Sequence, residues 1–326
     1  MELRKDPITR SWVITGDDGA GDRVESAACP YCSEQRRYQL ISSLPGEMWS
    51  AAAVVHPSPM YHIEGEPKRQ GDGLYDKMQP VGAHEVLLEN SQHDRHLWQA
   101  DDQEIAIFLG LAAQRITDLK RDRRFKYITV YKNQGAAAGQ ELEHPHSQLT
   151  ASTFVPRRVL YELRSCREHY SRKERCVFCD ILQQELNQQL RIVEANAEWV
   201  ASCPYAARVP YETWIMPREH EASFERSVLA RPANVRGLAQ MLRRTLQRVR
   251  SITPDFHMVL HTTPNTQRRS EFQDYWRTID DDYHWHFEIL PIIGTRAKSY
   301  TLKETYYTPI SPEHAAARLR DAPVGG

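Results

Sequence analysis

The chain has 326 residues, 40% of them hydrophobic and 26% charged, with 43 acidic against 42 basic side chains. That length supports cores large enough to fold without disulfide staples, and the near-neutral balance argues against a nucleic-acid binder, whose affinity rests on a basic excess. The N-terminus leads into no apolar run and no stretch is long enough to cross a bilayer, so the expectation is a cytoplasmic protein without membrane partners. Its six cysteines then read as thiols or metal ligands.

In chain order, the first half runs Cys29-Pro30-Tyr31-Cys32, a strand-like Val86-Leu87-Leu88, then His93. A helix follows, with Ile105, Phe108, Leu109, Ala112, Ile116 and Leu119 at helical spacing. Next come the β-rich Tyr127–Tyr131 stretch and a histidine pair, His144 and His146. Residues 65 to 73 read as a long polar loop. The second half repeats the order: Cys176-Val177-Phe178-Cys179, strand-like Thr213–Met216, His220, and a helix with Leu238, Met241, Leu242, Leu246 and Val249 behind Pro232. A strand over Phe256–Leu260 follows, then His284 and His286. The cysteine pairs recur 147 residues apart and the His-x-His pairs 140 apart. Six features repeated in the same order at similar spacings indicate a duplication. The expected division is residues 1–160 and 161–326, joined by a polar helix over Tyr161–Arg175.

Thiolate sulfur and imidazole nitrogen suit tetrahedral zinc, and a Cys-x-x-Cys turn reaches one ion with both sulfurs. The spacing gives two complete sets, Cys29, Cys32, His93 and His144, then Cys176, Cys179, His220 and His284, hence two zinc ions per chain. A dithiol oxidoreductase is the competing reading, because Cys-Pro-Tyr-Cys is also a redox sequence. Redox pairs follow an apolar strand, however, and Glu25-Ser26-Ala27-Ala28 makes a poor one. The isolated histidines His56, His84 and His257 read as core or surface residues, and the arginines around Arg243 to Arg250 as a solvated helix face.

In an extended strand alternate residues share a face, so His144, His146 and Gln148 project together. Pro145 cannot donate to a ladder, which places them on an edge or at a strand end. This suits a division of labour: His144 holds the metal, His146 attacks phosphorus, and Gln148 donates to a phosphate oxygen. Imidazole is an apt nucleophile because the phosphoramidate it forms is readily cleaved. In the second strand Glu288 stands where the first has Gln148, and a carboxylate repels phosphate, so the second half reads as structural.

The motif His144-Pro145-His146-Ser147-Gln148, preceded by Lys132-Asn133-Gln134-Gly135, resembles the galactose-1-phosphate uridylyltransferase family, the transferase branch of the histidine-triad superfamily. The similarity continues through Arg4–Ile14, Gly82–Val86, Pro210–Trp214 and Pro312–Ala316. The resemblance implies an α+β, duplicated histidine-triad-like fold: an antiparallel half-barrel sheet with flanking helices, in a homodimer. It implies that His146 is nucleotidylated, that Asn133 and Gln148 contact phosphates, and that the first Cys/His set binds zinc. Some members hold a second metal through residues matching Glu162, His261, His284 and His286. The Cys176 set is preferred here because thiolates outcompete carboxylate for zinc, and His284 does not serve both.

Three departures bear on substrate. Glu141 stands where relatives carry a small phosphate-contacting residue, His56-Pro57-Ser58-Pro59 replaces an asparagine-bearing segment, and the tail Tyr300–Thr305 lacks the usual glycines. The expected activity is nucleoside-monophosphate transfer from a nucleotide sugar, through His146, to a phosphorylated acceptor. A phosphorylase using inorganic phosphate, and a zinc-stabilised nucleotide-binding protein without catalysis, are the alternatives.

Overall fold

A computed structural model describes residues 1–16, 29–32, 38–44, 50–267, 276–294 and 305–325. Its strands are β1 (Glu2–Lys5), β2 (Trp12–Thr15), β3 (Leu40–Leu44), β4 (Ala51–Val55), β5 (Gln70–Asp72), β6 (Tyr75–Met78), β7 (Gly82–Leu88), β8 (Tyr127–Gln134), β9 (His146–Ser152), β10 (Ile192–Ala195), β11 (Trp199–Ser202), β12 (Thr213–Pro217), β13 (Phe256–His261) and β14 (His286–Pro291). The helices are α1 (Asp102–Leu119), α2 (Arg157–Lys173), α3 (Val177–Gln188), α4 (Phe224–Ala230), α5 (Pro232–Ile252), α6 (Ile279–Asp282) and α7 (Pro312–Asp321).

Ten strands form one sheet in the order β10-β11-β12-β14-β13-β8-β9-β7-β4-β3, all neighbours antiparallel. The order reads the same from both ends. Each half contributes five strands in an equivalent arrangement, and the halves meet where Tyr131 of β8 pairs with Val259 of β13. The duplication legible in the sequence is therefore a pseudo-symmetric open sheet. A second sheet, β2-β1-β6-β5, is built from the N-terminal hairpin and residues 70–78. The segment expected as a loop over residues 65 to 73 thus contributes a strand.

Alternation sorts the large sheet's two faces. Leu87, Val130, Leu149, Met258, Leu260, Phe287 and Ile289 pack against Phe108 and Leu109 of α1 and Leu238, Leu242 and Leu246 of α5. Each side chain of that size contributes about 1.5–3 kcal/mol on burial. Helix α1 starts with a capping box: Asp101 Oδ1 accepts from the Gln103 and Glu104 amides at 2.9 and 2.8 Å, while Glu104 Oε2 accepts from the Asp101 amide at 2.7 Å. Pro232 opens α5, as expected.

The opposite face carries His84, Tyr131, Gln148, His261, His286 and Glu288. Here Pro145 marks a strand end in mid-sheet rather than an edge, since β9 pairs with both β7 and β8. The α5 arginines are also paired rather than simply solvated. Arg243 meets Asp102 at 3.0 Å, and Arg244 and the buried Arg248 share Glu194.

Candidate active site and metal centres

After β8, Gly135 (φ +85°) and Gly139 (φ +73°) frame a single 3-10 turn, Ala136–Ala138. A Cβ on Gly135 would lie 2.1 Å from Asp255 Oδ1, so only glycine fits there. The chain then returns through Glu141 and Glu143 to His144 and enters β9 at His146.

The ring of His144 is oriented by its Nε2–H, which donates to the Asn90 carbonyl at 2.8 Å and turns Nδ1 toward Cys32 Sγ at 3.2 Å and Cys29 Sγ at 3.8 Å. His93 Nδ1 lies 3.4 Å from Cys32 Sγ. Asn90 also donates to Glu104 at 3.0 Å, so the cap of α1 steadies this cluster. The second half repeats the arrangement. His284 Nε2 and His220 Nε2 each donate at 2.9 Å, to the carbonyls of Pro217 and Asp280, which leaves both Nδ1 atoms facing Cys179 Sγ at 3.6 and 3.3 Å. In each foursome the donor atoms lie within 4.8 Å of one another. Two sulfurs and two imidazole nitrogens with carbonyl-anchored rings are a donor set and outer shell that fit zinc.

A third group, Glu162, His261 and His286, also comes together. As expected, His284 joins the cysteines and does not serve both groups; the remaining three residues cluster without it. His261 lies between Glu162 (3.0 Å) and Glu288 (3.3 Å). Burial opposes its charge, yet these carboxylates push it up to about 10. Arg208 reaches Glu288 at 2.7 Å, so the carboxylate that replaces Gln148 in this half is already neutralised from within the chain.

His146 differs from the metal-facing histidines. Its Nδ1–H donates to the His144 carbonyl at 2.8 Å, which fixes the tautomer and leaves Nε2 as an unprotonated nitrogen with no hydrogen-bond partner among the described residues. The residue is 2% exposed, and burial, aided by the Lys132 ammonium, pushes its pKa down to about 3. The ring is thus held neutral. Behind the strand, Lys132 Nζ binds both Glu89 oxygens at 3.0 and 2.9 Å and the His146 carbonyl at 3.0 Å, while Ser147 Oγ donates to Glu89 at 2.7 Å.

Gln148 is committed on its oxygen only. Oε1 accepts from Tyr131 OH at 2.7 Å and His84 Nε2–H at 2.9 Å, which leaves the amide N–H pair for a ligand. The His84 tautomer is set by the Met60 amide, which donates to Nδ1 at 3.2 Å. His56 stacks on His84 at 3.9 Å, with its Nε2 3.4 Å from Glu141. Asn133 Oδ1 accepts from His257 Nδ1–H at 2.9 Å, and the β8–β9 register, continued two residues past the Tyr131–Gln148 pair, sets Asn133 abreast of His146. Of the histidines read as bland in sequence, His84 and His257 therefore hydrogen-bond Gln148 and Asn133, the residues expected to contact phosphate, and His56 stacks behind His84. Only strand register reveals this. Glu25–Ala28 and most of the tail Tyr300–Thr305 lie outside the described residues. Among the described residues no helix is long and apolar enough to cross a membrane.

Residues 58–156 match the galactose-1-phosphate uridyl transferase N-terminal domain. An ADP-glucose phosphorylase of Arabidopsis thaliana is 24% identical over 98% of this chain and 92% of its own length. A galactose-1-phosphate uridylyltransferase of Thermotoga maritima is 25% identical, covering 99% of both chains. A solved uridylyltransferase structure superposes with a TM-score of 0.82 at 26% identity, covering 99% of this chain and 98% of the other. With the antiparallel open sheet, the His-Pro-His-Ser-Gln strand and correspondence over nearly the full length, the chain is similar to galactose-1-phosphate uridylyltransferases throughout, and its residues 58–156 carry their N-terminal domain match.

Proposed function

We propose that this protein is a ping-pong nucleotidyltransferase in which His146 carries the nucleotide. Its Nε2 attacks the α-phosphorus of a nucleoside diphosphate sugar; a P–N bond forms as the P–O bond to the sugar phosphate breaks. The sugar 1-phosphate leaves as a stable anion, so little acid catalysis is needed. The positive charge on the nucleotidylated ring is relieved through Nδ1–H and the His144 carbonyl, a contact that strengthens as charge develops. A phosphate oxygen of the acceptor then attacks phosphorus, the P–N bond breaks, and His146 returns neutral. The Gln148 and Asn133 amides hold the phosphate oxygens, with Tyr131, His84 and His257 holding those amides. The single observation that carries the reading is the bare Nε2 of His146 beside a neighbour whose own Nδ1 is turned to the cysteines.

Zinc bound by Cys29, Cys32, His93 and His144, and by Cys176, Cys179, His220 and His284, would be closed by four protein ligands and therefore structural. In this reading residues 1–160 form the catalytic half and 161–326 the supporting half of a cytoplasmic homodimer. The test is isotope exchange: label moves between a nucleotide sugar and its free sugar 1-phosphate with no third reactant present. Exchange that requires a second acceptor would rule out the covalent carrier.

One observation favours a phosphorylase variant. Glu141, a 58% exposed carboxylate, sits by His56 on the approach to Gln148. A side chain of that length, where relatives carry a small residue, leaves less room for a bulky phosphorylated acceptor than for inorganic phosphate. The Arabidopsis relative spanning this whole chain is named ADP-glucose phosphorylase. An acceptor panel of inorganic phosphate against sugar 1-phosphates, with ADP- and UDP-sugars as donors, separates the two.

A further inference from the structure

A cavity of about 760 Å³ lies between the N-terminal sheet and the start of α2. We propose that it is a second anion site, independent of His146, that takes a nucleoside polyphosphate or a similar phosphorylated small molecule. The volume falls within the range of small-molecule pockets.

Its charge is one-sided. Eight lysines and arginines line it against one carboxylate, Glu66, in a chain whose overall charge is −1. The concentration of cations is therefore local and does not follow from a basic composition. Internal pairing offsets part of it: Lys5 and Arg69 share Asp76 at 3.5 and 2.5 Å, Arg124 meets Asp122 at 2.6 Å, and Lys126 and Arg164 have partners of their own, so the excess rests on Arg10, Arg123 and Arg157. Arg157 lies 4.9 Å over the Tyr161 ring and donates to its hydroxyl at 2.7 Å, and Arg10 projects from the β1–β2 turn. Cations gathered in one concavity focus a field that a multivalent anion relieves. Helix α2 adds to this field, because its N-cap is Pro156 with no side-chain cap, and Val155, Pro156 and Arg157 line the cavity.

The walls also offer a flat apolar surface. Trp12 packs on Phe154 at 5.9 Å, with Lys5 Nζ and Arg69 Cζ 5.7 and 5.8 Å from its ring. A ring-bearing phosphate compound would meet aromatic and cationic groups together. The site is separate from the first one. It begins at Thr153, past the far end of β9, and seven strand residues at about 3.3 Å each place it roughly 20 Å from His146.

The test is equilibrium dialysis of ATP against the metal-loaded protein, with Arg10→Gly/Arg157→Gln as the variant. Arg10 has φ +62°, so glycine removes the guanidinium without straining the turn. The variant is expected to bind one ATP per chain fewer than the natural protein, whatever the His146 site contributes to both, with affinity at the lost site weakened at least tenfold. Arg157→Gln alone should weaken that site severalfold, which covers a double variant that fails to fold. Equal stoichiometry in natural and variant proteins overturns the proposal. So does light scattering in which the variant changes oligomeric state while ATP stoichiometry is unchanged, because the cavity would then belong to a contact with a second copy.

Discussion

Replacing Gln148 by glutamate changes one atom's role and leaves the rest of its setting in place. The acid keeps an oxygen for Tyr131 OH and His84 Nε2–H, both of which donate to Oε1 in the natural residue. What it loses is the free amide donor, and it gains a negative charge facing the phosphates. Two unit charges about 4 Å apart repel by about 4 kcal/mol at an effective dielectric near 20. Removal of one preorganised donor separately costs on the order of 10²–10³ in rate. Nucleotidylation of His146 should therefore slow at least a thousandfold, with little change in folding stability. Gln148→Met is the complement: it strands two buried donors at about 1–3 kcal/mol each, so it should lower stability as well as rate. Rapid-quench labelling gives the rate, and urea unfolding gives the stability. A Gln148→Glu protein labelled within tenfold of the natural rate would refute the assignment of Gln148 to the phosphates.

Further outcomes are expected. Metal analysis of Cys32→Ser and Cys176→Ser should each show one zinc equivalent lost and the other kept; loss of both, or of neither, contradicts two independent foursomes. Lys132→Met leaves Glu89 buried and unpaired, which should cost about 3–5 kcal/mol, and adding Glu89→Gln should restore part of it in denaturant titrations. His84 carries a pH signature. Burial, and then the neighbouring His56, depress it to about 4, below its ordinary value of about 6.5, so the unfolded chain takes up the proton first. The stability it protects is full above about pH 6.5 and declines as pH falls toward 4, by at most about 2 kcal/mol at pH 5. Urea titrations of His84→Gln should show a shallower loss between pH 7 and 5; an unchanged slope removes His84 from the account.

The sequence made the repeat legible because ligand spacing is a local property and the two halves repeat it in the same order. The two Cys₂His₂ groupings were readable from the Cys-x-x-Cys spacing and its repeat, and the structure brings the donor atoms of each within 4.8 Å of one another; strand alternation supplied only the shared face of His144, His146 and Gln148. The supports of the site were hidden for the opposite reason. His84 reaches Gln148 only because β7 and β9 pair in a register that sets Val86 beside Gln148, and His257 reaches Asn133 only because β13 joins β8 across the junction of the halves. No window of sequence carries that pairing. The Lys132–Glu89 ion pair escaped notice for the same reason, since it forms behind the strand between positions 43 residues apart. The third cluster was seen as a rival to the second, because one histidine was assigned to both; the fold gives His284 to one and His286 to the other.

The central claim is tested most directly by tandem mass spectrometry of the protein quenched at alkaline pH after mixing with ADP-glucose or UDP-glucose. The account predicts one acid-labile nucleoside monophosphate per chain, on the peptide holding residue 146 and at that imidazole, absent from His146→Ala. An unmodified peptide during demonstrable turnover, or an adduct on His144 instead, would contradict it.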